Sequence, residues 1–101
     1  MMLEESKILF KQLFLDELQE LEALWNEQPP SKDPDRWTTS TLQTYFAKIK
    51  RHEAALYSGQ FYDRESGKPH IYHIVLDWLV LSKLWRKRID ERKKRRETDT
   101  E

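Results

Sequence analysis

The run from Ile71 to Trp85 constrains this chain most: it is apolar almost all round, with His73, Asp77 and Ser82 as its polar interruptions. A helix this short cannot span a bilayer, which takes about 20 apolar residues. It must instead be covered by protein, and it reads as the central helix of a small bundle. At about 100° per residue, Ile71, Ile74, Trp78, Leu81 and Trp85 share one broad side, and Val75, Leu76, Leu79 and Val80 cover much of the rest. His70, His73 and Asp77, spaced i, i+3, i+7, occupy the arc left over, which Leu84 continues. Polar groups on such a helix need partners, so they form either a hydrogen-bonded structural knot or the lining of a site.

Proline and glycine separate this helix from two others. Leu3 to about Glu27 carries the stripe Phe10, Leu13, Phe14, Leu18, Leu21, Leu24 and Trp25, with an acidic opposite face. Pro29-Pro30 ends it, and Ser31 to Arg36 is a polar connector. A second helix runs from about Thr39 to Tyr57, with Thr and Ser as natural N-caps and Ser58-Gly59 as its stop. Its stripe is Leu42, Tyr45, Phe46, Ile49, His52, Glu53 and Leu56. The third helix starts at Pro69, a first-turn residue type, and extends to about Arg92. The expected fold is therefore all-α: a small three-helix bundle with helices near 3–27, 39–57 and 69–92. Residues 1–96 form one domain and 97–101 a frayed tail.

A chain of 101 residues buries a limited core, and self-association into a homodimer is expected to complete it. The formal charge is zero, yet the first quarter is acidic and the last fifth basic, which favours antiparallel packing of the first and last helices within or between chains. The absence of cysteine removes disulfides and thiolate metal sites and fits a reducing, cytoplasmic compartment. No signal pattern opens the chain and no membrane partner is expected. With two glycines, no phosphate-cradling loop is available, and no serine stands in a nucleophile elbow. Asp16-Glu17-Leu18-Gln19-Glu20 loosely follows the magnesium pattern of all-α nucleotide pyrophosphohydrolases, but no second acidic pair completes it, so a solvated face explains it better. The basic C-terminal run lacks interleaved aromatics and reads as a solvated helix end rather than a nucleic-acid contact.

The chemistry concentrates between the second and third helices. His70, His73 and Asp77 could coordinate a divalent metal together with His52, Glu53 or Asp63 from the neighbouring helix and loop. Imidazole with carboxylate suits zinc, manganese or iron, and magnesium less well. The competing reading has His73 and Asp77 bonded to each other while His70 orders the loop. Glu53, in mid-stripe, is either a ligand or general base, or half of a buried ion pair.

Arg51-His52, Ala55, Gly59, the loop Asp63, Glu65, Ser66, Gly67, and then His70 and His73 on an apolar helix together carry a resemblance. Over about residues 45–84 the chain resembles the small phage and bacterial helical family of dATP/dGTP diphosphohydrolase N-terminal domains. Trp37 resembles the tryptophan that precedes the family's first motif helix. Arg64 stands where the family usually has proline, and an amphipathic first helix stands where it has a basic, proline-containing segment.

The resemblance implies a helical protein that binds a divalent metal (zinc, manganese or magnesium) and a nucleotide. Its metal ligands would come from His52, Asp63, His70, His73 and Asp77. Catalysis, a pyrophosphohydrolase-like attack of metal-activated water on a phosphoanhydride, would use Glu53 or Asp77 as base and Arg51 and Arg64 to neutralise phosphate. The rival is a non-enzymatic module that binds a host protein. There the histidine cluster is structural and Trp25, Trp37, Phe61 and Tyr62 offer interface anchors.

Overall fold

Helix α1 (Leu15–Glu27) leads into a single 3-10 turn (Pro34–Arg36), helix α2 (Thr39–Tyr57) and helix α3 (His70–Asp99). The computed structural model describes residues 9–27 and 31–99. Residues 9–13 are also helical, and the amides of Phe14 and Leu18 reach the carbonyls of Phe10 and Phe14, so the helical path runs on into α1. The expected start near Leu3, the Pro29-Pro30 stop and the last two residues lie outside the described residues. No strand occurs among the described residues, and no helix among them is long and apolar enough to cross a membrane.

The ends of α2 follow from its sequence. Asp33 caps the 3-10 turn by accepting from the Asp35 amide at 3.0 Å. Thr38 is the N-cap of α2, and its own amide donates to Thr41 Oγ1 at 3.1 Å. At the other end the Gly59 amide reaches Leu56 O and the Gln60 amide reaches Ala55 O, with Gly59 at φ +91°. That pair of bonds is a Schellman stop, and it requires the left-handed backbone that glycine adopts without strain. α3 continues past Arg92 to Asp99, so residues 97–99 of the expected tail are helical. The lysines, arginines and glutamate of that stretch are good helix formers.

α3 is the central element and packs against both other helices. It runs antiparallel to α2: His52 faces His70 and stacks on His73, Tyr45 lies near Asp77, and Phe46 meets Trp78 edge-on at 5.9 Å. The core is Trp37, Tyr45, Ile49, Val80, Leu81 and Leu84, with Trp25 and Leu42 against it. Burying side chains such as Ile49 and Leu84 contributes about 1.5–3 kcal/mol each. Trp37, expected as an exposed anchor, is buried and donates its indole N–H to Ser31 O at 3.0 Å, and Trp25 packs edge-on against it.

Two expectations about faces are overturned. The buried seam of α3 is His70, Ile74, Asp77, Val80, Leu81 and Leu84, so His70 and Asp77 lie on the main packing face and not on a leftover arc. Ile71, Trp78 and Trp85 are instead largely exposed. Among the described residues, α1 and α2 leave much of the surface of α3 uncovered, and Trp78 reaches only the edge of Phe46. The first stripe also divides: Leu21 and Leu24 are buried, whereas Leu9, Phe10, Leu13, Phe14 and Leu18 are exposed.

Candidate metal and nucleotide cleft

The site forms where the end of α2, the loop and the start of α3 converge. His52 lies five residues before the end of α2, and His70 is the first residue of α3. Between them the loop is clipped shut by an isolated antiparallel bridge between Tyr62 and Pro69. The Asp63 amide donates to Lys68 O at 2.8 Å, Gly67 to Asp63 O at 2.8 Å, and His70 to Phe61 O at 2.8 Å. Gly67 takes φ +71° in this turn, the other position where glycine is required. The clip carries Asp63 back over the two histidines.

His52 Nδ1 and His70 Nδ1 lie 2.8 Å apart, with both rings almost fully buried. One nitrogen must donate and the other accept, so the pair holds a single proton between these two atoms. Burial pushes the His52 pKa down to about 4, helped by the charges of His73 and Arg51. One ligand atom each from His52, Asp63 and His70 lies within 4.8 Å of the others. His73 stacks flat on His52 at 4.5 Å between centroids, 4° from parallel. Burial also lowers the His73 pKa, against the opposing pull of Asp63.

Ser66 ties these groups together. Its amide and its hydroxyl both donate to Asp63 Oδ2, at 3.1 and 3.0 Å. The hydroxyl oxygen accepts from the Lys68 amide at 3.2 Å and lies 2.7 Å from His73 Nε2, which makes that nitrogen the donor. Burial pushes the Asp63 carboxyl up, but the Ser66 hydrogen bonds and the charge of His73 outweigh it, and its pKa lies below the ordinary value. Asp63 is thus an oriented carboxylate.

A cleft of about 370 Å³ opens beside this cluster and holds most of the remaining polar groups. Trp25 and Glu27 of α1, Tyr45, Lys48 and Arg51 of α2, and Asp77 of α3 line it, along with His52, Asp63 and His73. Asp77 is 5% exposed and its Oδ2 has no hydrogen-bond partner among the described residues. Burial raises its pKa to about 6, against the opposing charges of Lys48 and Arg51. Burial and then Asp77 raise the Tyr45 phenol to about 12.

The family profile for the N-terminal region of dATP/dGTP diphosphohydrolase matches residues 10–94. The chain belongs to that family. The match takes in α1 as well as the motif region on which the resemblance was read. No curated protein sequence and no solved structure matches the chain.

In this dATP/dGTP diphosphohydrolase N-terminal domain, the residues singled out from sequence separate into three groups. His52, Asp63 and His70 converge on one point, with His73 stacked beside them. Asp77 and Arg51 line the cleft next to that point. Glu53 is half-buried on α2 outside the cleft lining, and Arg64 is exposed in the loop, also outside it. Trp25, Tyr45 and Lys48 were not read as site residues. The signal for two of them was there: Tyr45, Lys48 and His52 step by three and four along α2, which places them on one face.

Proposed function

We propose that this domain holds a divalent metal on His52, Asp63 and His70 and binds the phosphates of a nucleotide in the adjoining cleft. The observation that carries the reading is three ligand-type groups from three separate elements, two of them nearly fully buried, within 4.8 Å of one another. Two imidazoles and a carboxylate suit zinc, manganese or iron, with coordination positions left open for water or substrate. Tetrahedral zinc at about 2.0–2.1 Å from nitrogen would set its ligands about 3.3 Å apart. The 2.8 Å between His52 and His70 therefore needs to open only slightly. Ser66 on Asp63 and the ring of His73 against His52 supply the outer support that fixes such ligands.

Lys48 and Arg51 bring positive charge to the cleft. The reaction class that fits this set is phosphoanhydride hydrolysis, in which a metal activates water. Glu27 and Glu65 line the cleft as carboxylates able to take a proton, whereas Glu53 stands outside it.

Elemental analysis and thermal melting with added manganese or zinc test the reading. One metal per chain is expected, with a higher melting temperature, and His70→Ala should abolish both. Absence of bound metal, with melting unchanged by either ion, would overturn it in favour of a structural histidine cluster. The rival interaction module is favoured by a different observation, the exposed apolar side chains of residues 9–18 and of the outer face of α3. That rival keeps the histidine cluster structural, so the same metal titration separates the two readings.

A further inference from the structure

Asp77 is the unexplained group of the cleft. It sits on the packing seam of α3 at 5% exposure, yet Oδ2 has no hydrogen-bond donor among the described residues. Leaving a buried carboxylate oxygen unmet is destabilising, so the position calls for a ligand that brings donors. Lys48 and Arg51 are close enough to act on its charge, but neither forms an ion pair with it. Around it the cleft is lined by Leu24, Trp25, Tyr45 and Leu76, which are the flat and apolar surfaces that accept an aromatic ring. Asp77 also lies seven residues along α3 from His70, or about 10 Å. The metal ligands His52 and Asp63 line the same cleft, so phosphate held there leaves the base on the Asp77 side.

We propose that Asp77 reads the Watson–Crick edge of a purine: as a carboxylate it accepts the N1–H and N2–H of guanine, and as a carboxylic acid it donates to N1 of adenine while accepting from its N6 amine. The proposal rests on the nucleotide-binding reading above and adds the specificity element. A carboxylate has acceptors only, and guanine presents two adjacent donors on that edge. Adenine presents one donor beside one acceptor, the complement of a protonated carboxyl. With its pKa raised to about 6, Asp77 reaches both states within the ordinary pH range. The ionisable groups around it are Tyr45, Lys48 and Arg51 from α2, Glu27 from α1, Glu65 from the loop, and His73 on its own helix. One side chain would thereby serve two bases.

The test is equilibrium binding of the non-hydrolysable α,β-methylene analogues of dGTP, dATP and dTTP, with manganese, at about pH 8 and about pH 5. The ratio between bases at each pH is the readout, because pH effects on metal affinity cancel in it. At the higher pH the dGTP analogue should bind about tenfold tighter than the dATP analogue, the discrimination typical of one bidentate pair. At the lower pH the ratio should fall toward one, because a protonated carboxyl pairs with adenine N1 and N6–H and equally with guanine O6 and N1–H. The acid form also matches the N3/N4 edge of cytosine and the N3/O4 edge of thymine, whereas the carboxylate matches neither, so the dTTP analogue should gain on the dGTP analogue at the lower pH.

Asp77→Asn fixes one donor and one acceptor at the position, so it should lose the preference for the dGTP analogue and give the same base ratio at both pH values. An identical base ratio at both pH values in the wild-type protein overturns the proposal, whether or not the Asn variant folds. Metal-dependent but base-blind binding also overturns it and leaves the metal and phosphate site standing. Failure to bind any analogue overturns both nucleotide readings, and metal titration alone then reports on the histidine–aspartate cluster.

Discussion

His52 and Asp77 lie on facing helices about two turns apart and respond to acid in opposite directions. The His52 pKa is held down to about 4, so its contribution to stability is complete above about pH 6.5 and is lost as pH falls through 4. The Asp77 pKa is raised to about 6, so the stability linked to it is complete below about pH 4 and is lost as pH rises through 6. Between those limits the two slopes oppose each other, and the lowered His73 pKa adds to the His52 slope, so thermal melting should fall gently from about pH 6.5 to 5. Asp77→Asn removes one slope: the variant should be more stable by roughly 1–2 kcal/mol at pH 7 and should lose stability more steeply on acidification. A melting series across pH measures both. Ser66→Ala removes the hydroxyl that joins Asp63 to His73 and should cost about 1 kcal/mol in denaturant unfolding. The clustering of His52, Asp63 and His70 was readable from the chain, because the histidines stand near two helix ends and the aspartate lies in the loop that joins them. Which of the polar groups touch was not, since it depends on the turn through Gly67 that sets Asp63 over the histidines.

At the scale of elements, the ends of α2 were more legible than the helix faces. Thr38 and Ser58-Gly59 announce the limits of α2, and the structure places the limits there. Gly59→Ala tests the stop directly. A Cβ at that position would meet nothing within 4 Å, so the whole effect is backbone strain at φ +91°. A loss of about 1–2 kcal/mol is expected in unfolding experiments, with Asn costing less than Ala. The face of α3 was misread for a physical reason. Counting apolar residues around a helix identifies a packing side only when the apolar arc is narrow, and this helix is apolar nearly everywhere. The pairing of His70 with His52 then favours the side that turns inward.

The whole molecule is more open than its length requires. Its radius of gyration is 17.0 Å, against about 13 Å for a compact domain of about 100 residues. Ile71, Val75, Trp78, Trp85 and Ile89 form an exposed stripe with coiled-coil spacing along α3, and Phe10, Leu13, Phe14 and Leu18 form another ahead of the bundle. The second stripe is flanked by Asp16 and Glu17, and the far end of the first by Arg88, Arg92 and Arg95. Opposite charge beside two apolar faces suits a reciprocal pairing of two copies. Sedimentation should give a dimer that Trp85→Glu dissociates while the metal site is retained. A monomer at tens of micromolar would exclude that pairing.

The amide of His70 is anchored to the carbonyl of Phe61, so the residue offered to a metal and the backbone of the connecting segment move as one. Chelation would therefore leave a trace remote from any reaction: trypsin should cut at Arg64 faster once the ion is stripped. Protease sensitivity of a single peptide bond thus becomes an assay for occupancy that requires no knowledge of the substrate.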